Sequence, residues 1–107
     1  MPRLNRNLHV ALHVLTMLVA AWGLGGAPTA LAPWACIATH GLGAFTHKAE
    51  TNPSLDTEFL SIVRVSLGIV ACLIAAGQHW VTGTTGPEFV VIAVASLLLE
   101  AARPQNG

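Results

Sequence analysis

The sequence predicts an all-α integral membrane protein, a single four-helix bundle over residues 1–107. Three observations lead there. The chain of 107 residues is 53% hydrophobic and only 9% charged, where a soluble domain carries about 25% charged residues. Its apolar residues fall into four long runs separated by Gly/Pro or polar connectors. Its five cations, Arg3, Arg6, Lys48, Arg64 and Arg103, distribute as a membrane topology demands. So short a chain with so little polar surface has the bilayer as its natural solvent.

The first run is 8–24, "LHVALHVLTMLVAAWGL", and the second is 29–46, "TALAPWACIATHGLGAFT". Between them "GLGGAP" reads as a tight turn. The third run is 59–77, "FLSIVRVSLGIVACLIAAG". It follows the only long polar stretch, "HKAETNPSLDTE", in which Asp56 or Thr57 is placed to cap the helix and Glu58 suits its positive end. "QHWVTGTTG" is a short polar loop with an interfacial Trp80, and Pro87 opens the fourth run, 87–102, at a first helical position. At 1.5 Å per residue, runs of 16 to 19 residues span roughly 24 to 28 Å, a little less than a ~30 Å hydrocarbon core. The fourth is the shortest. Small residues, among them Gly23 and Gly68, suit close helix approach in lipid, and Gly41 and Gly43 mark a loose end to the second helix.

Orientation follows from the cations. With the N-terminus inside, Arg3, Arg6, Lys48 and Arg103 fall on the cytoplasmic side, and Arg64 snorkels back toward it. This gives a multi-pass cell-membrane protein with both termini cytoplasmic. A competing parse takes Arg3, Arg6, the first apolar run and Ala30–Ala32 as a signal peptide, but Pro33 hinders cleavage there and further apolar runs follow.

Candidate chemistry sits in the polar residues of these runs. His9 and His13, four apart, share a helix face. His40 and His47 lie near the inner end of the second run, and in an antiparallel hairpin His13 and His40 reach similar depth. Two axial histidines, His13 and His40, can hold a haem, or three can hold a metal. The plainer reading makes them interhelical hydrogen-bonding residues, with His9 and His47 at headgroup level, and no cofactor or metal is assigned. Arg64 and Glu100 lie in the inner half of the membrane, where charges are expensive unless paired. They read as a structural ion pair, with Arg103 as a second partner for Glu100. His79 and Glu88 flank the outer loop and are candidates for sensing protons or cations. Cys36 and Cys72 lack metal spacing and read as packed small residues. No catalytic motif is present, and the zero net charge gives nucleic acid no purchase. The expected partners are the lipid bilayer and either a second copy or another membrane protein.

The layout resembles the N-terminal membrane region of actinobacterial two-component sensor histidine kinases. The residues carrying the likeness are "LHVALHVLTMLVAAWGL", Pro33–Trp34, and above all "PEFVVIAVASLLLEAARP" with Pro87, Glu88, Phe89 and Pro104. The chain departs from that pattern at Val91 and Ala95, where aromatics are usual. It also holds neither the helical pair with the phosphorylated histidine nor the ATP-binding domain. The resemblance therefore implies a non-enzymatic, sensor-like or accessory membrane domain. Two other classes fit the same composition: a pore-forming protein of the holin type, and a haem- or quinone-handling subunit.

Overall fold

A computed structural model describes residues 3–104. They form four α-helices, with no strand among the described residues: α1 (Arg6–Gly23), α2 (Leu31–Ala49), α3 (Thr57–Ala76) and α4 (Glu88–Ala101). A π-helical turn, Gly77–Val81, prolongs α3. Helices adjacent in sequence pack on one another and α1 closes on α4, giving a bundle 44 × 24 × 21 Å.

Local chemistry explains most boundaries. Asn5 caps α1, its Oδ1 accepting from Leu8 N at 2.8 Å. A string of tight turns through Gly25, Gly26 and Ala27 then reverses the chain. Asp56 caps α3 by accepting from Glu58 N and Phe59 N, with Glu58 at the positive end of the helix dipole. Pro87 precedes α4. The start of α2 is capped from elsewhere: Ala32 N donates to Gln78 Oε1 at 2.8 Å, so the π turn after α3 satisfies an orphan amide of α2. The sequence predicts a loop from Gln78; the chain instead stays helical through Val81, because Gln78 and His79 are held by that cap and by the Thr85 carbonyl.

Two further expectations change. Gly41 and Gly43 do not loosen the end of α2, which continues to Ala49. Gly43 lies where α1 presses closest: a Cβ there would meet Nδ1 and Nε2 of His13 at 2.7 and 2.8 Å. His9 and His47 are not at the surface; both are fully buried.

The half of the interior toward the α1–α2 turn is small and apolar, built from Ala20, Ala32, Cys36, Ala71, Ala75 and Phe89. The opposite half is polar. Large apolar side chains instead point outward, including Leu73 (69% exposed), Val91 (68%) and Ile62 (64%). Among the described residues one helix is long and apolar enough to cross a membrane, the continuous 25 residues Thr57–Val81. The others differ from the sequence expectation for physical reasons. Fourteen residues in α4 reach only about 21 Å, and α1 and α2 each carry histidines, turned inward, that dilute their apolar content.

Candidate functional site

Helical spacing collects the polar residues at one end. On α1, His9 and His13 stand four apart. On α2, His40, Gly43, His47 and Glu50 continue one stripe at three- and four-residue steps. On α3, Ser61 and Arg64 share a face, and α4 contributes Ser96 and Glu100.

Arg64 is the hub of an ion network. Its Nε and Nη2 donate to Glu100 at 2.7 and 3.0 Å, and its Nη1 donates to Glu50 at 2.7 Å and to Thr46 Oγ1 at 3.0 Å. Arg103 donates to Ser61 and reaches Glu100 at 3.3 Å. Arg6 donates to the His47 carbonyl at 2.8 Å. The two carboxylates thus share three guanidinium groups, and side chains from α2, α3 and α4 meet at one point, with Arg6 of α1 alongside. A buried charge is tolerable only when its lone pairs and protons are satisfied in this way.

Four histidine rings stack beside that network. Ring centroids of His9 lie 4.8 Å from His13 and 4.2 Å from His47, and those of His13 and His40 are 5.2 Å apart. Their partners fix the tautomers of His9, His13 and His40. His40 Nε2 lies 2.7 Å from the Ile92 carbonyl, which can only accept, so Nε2 carries the hydrogen. His40 Nδ1 must then accept from His13 Nδ1 at 3.0 Å, leaving His13 Nε2 as a lone pair. His9 Nε2 donates to the Leu99 carbonyl, leaving Nδ1 as a lone pair. His47 lies between two carboxylates, its Nε2 donating to Glu100 Oε1 at 3.2 Å and its Nδ1 standing 3.3 Å from Glu50 Oε2. These three nitrogens, His9 Nδ1, His13 Nε2 and His47 Nδ1, are buried without a hydrogen-bond partner.

The structure therefore joins Arg64 to Glu100 and His13 to His40. A planar macrocycle ligated by His13 and His40 would have to separate rings that are directly hydrogen-bonded. His79 and Glu88 sit at the opposite end. His79 Nδ1 donates to the Thr85 carbonyl at 3.1 Å and its ring packs edge-on to Trp80. Sequence reasoning overlooked Glu50, which lies in the polar connector. The signal was available: Glu50 extends the 43–47–50 stripe once α2 is carried past Thr46.

A cavity of about 600 Å³ opens at this end of the bundle, lined by Arg6, Glu50, Thr51, Asn52 and Leu55 among others. Glu50 thus stands between the cavity and His47. Comparison with protein-family models, curated proteins and solved structures finds no match to this chain.

Proposed function

We propose that the chain is a small non-enzymatic integral membrane protein, a four-span bundle with cytoplasmic termini acting as a sensor-like or accessory domain. One observation carries this reading: the bundle is inverted. Arg64, Glu100 and four histidines are buried in one half of its interior while leucine, valine, isoleucine and phenylalanine side chains stand exposed on its outside. In water that surface is an aggregation liability; in lipid it is the expected exterior, and intramembrane charges face inward and pair. Arg6, Lys48, Arg64 and Arg103 gather at the end carrying the α2–α3 connector, which the positive-inside bias assigns to the cytoplasm.

The ion network gives such a domain something to act through. It ties α2, α3 and α4 together, with Arg6 of α1 hydrogen-bonded beside it, so a change of charge or packing there is felt by every helix.

Cysteine accessibility tests the topology. In a Cys36→Ala/Cys72→Ala background, Thr84→Cys should react with an impermeant maleimide in intact cells. Thr51→Cys should react only after the membrane is opened. Labelling of both from the same side, or release of the protein by an alkaline carbonate wash, would overturn the reading.

A further inference from the structure

We propose that His9, His13 and His47 form a transition-metal site of three imidazole nitrogens, taking a borderline divalent ion such as zinc. The site rests on the ring geometry alone, so it and the membrane reading can fail separately.

A ring nitrogen of each of the three histidines lies within 4.8 Å of the others. Each ring also has one buried nitrogen with no hydrogen-bond partner; the tautomers above make those of His9 and His13 lone pairs, and that of His47 faces Glu50 Oε2. A buried acceptor left unmade is unfavourable, and here two belong to the adjoining rings of His9 and His13, with the His47 ring 4.2 and 5.8 Å from them. Lone pairs without donors are what a cation requires.

The outer contacts have the form of a ligand support. A metal-bound histidine characteristically donates its other N–H to a carbonyl or carboxylate, which fixes the tautomer and orients the ring. His9 does so to Leu99, His47 to Glu100, and His13 to His40, which is itself anchored on Ile92. Imidazole donors suit zinc, copper, iron and nickel rather than magnesium or calcium.

Glu50, through its contact with His47, is the adjoining candidate for a fourth position. A tetrahedral ion with bonds of about 2.0 Å holds its donors about 3.3 Å apart, and His47 Nδ1 and Glu50 Oε2 already stand 3.3 Å apart. The histidine nitrogens need to close by about 1.5 Å from their 4.8 Å limit to meet the same spacing. The cavity at the inner end has Glu50 in its lining, which provides an entry path. The nearby guanidinium of Arg64 opposes a dication; an arriving ion would draw Glu50 away from it, loosening one contact between α2 and α3.

The test is Co²⁺ titration of the full chain, purified metal-free in detergent. One Co²⁺ per chain should give the visible absorption bands of tetrahedral ligation, and equimolar Zn²⁺ should abolish them. His13→Gln should remove the bands while His79→Gln keeps them. Helicity by circular dichroism checks that His13→Gln folds; if it does not, Glu50→Gln decides, with an expected drop in Co²⁺ affinity of tenfold or more. No tetrahedral spectrum from the wild type would overturn the proposal. So would bands that survive His13→Gln, or, where that variant does not fold, Co²⁺ affinity unchanged by Glu50→Gln. Nitrogen NMR showing a doubly protonated His47 at saturating Zn²⁺ would do the same, since the cluster would then hold a proton.

Discussion

Arg64 joins the two buried carboxylates, bonding Glu100 through two nitrogens and Glu50 through a third. Removing it strips the nearest guanidinium, at 2.7 Å, from both carboxylates. Arg64→Leu should therefore destabilise the bundle by about 3–5 kcal/mol, the range for stripping one partner from a buried pair. Unfolding in a denaturing detergent reads the loss. Arg64→Leu/Glu100→Leu should recover much of it, because Glu50 keeps contact with His47 and the Arg6 guanidinium 4.0 Å away. Equal loss in the single and double variants would mean that the pair is not the energetic centre. At this scale the sequence was informative wherever a charge or histidine interrupts an apolar run, because burying it has few solutions. That made Arg64, Glu100, His13 and His40 visible. Glu50 was hidden because it adjoins a polar connector, where the same residue type is usually solvated.

Helix packing is governed by where backbones come close. At Gly43 the His13 ring lies directly over α2, and at Gly68 the Leu97 and Ser96 side chains lie over α3. Gly77, in the π turn, has nothing within 4 Å. Gly43→Ala should displace His13, break its bond to His40 and cost about 1–3 kcal/mol, as overpacking does. Gly77→Ala should be neutral or stabilising by up to about 1 kcal/mol, since its backbone is already helical. Paired detergent-unfolding curves separate the two, and similar losses at both sites would refute the packing described. Helix positions and the Asp56 cap were legible from apolar runs and cap residues. The π turn was not, because no residue pattern specifies it; it follows from a long-range bond between Gln78 and the start of α2. The true end of α2 was obscured by reading Gly41 and Gly43 as breakers, when close approach by α1 is their role.

For the whole molecule, the four-helix all-α architecture was legible, while the membrane assignment remains a proposal resting on the inverted distribution of side chains. Among the described residues hydropathy singles out Thr57–Val81, because averaging a helix counts an inward histidine against it. The three-dimensional arrangement separates the two faces: His9, His13 and Glu100 are inside, whereas Leu18, Leu73 and Leu98 are outside, each more than half exposed. The most direct test places a nitroxide label at Leu18, Leu73 or Leu98 in the protein reconstituted into lipid, with Cys36 and Cys72 replaced by alanine. Each label should be relaxed strongly by oxygen, which concentrates in hydrocarbon, and weakly by a water-soluble nickel chelate. Strong relaxation by the nickel chelate at all three positions would place this apolar surface in water and contradict the account.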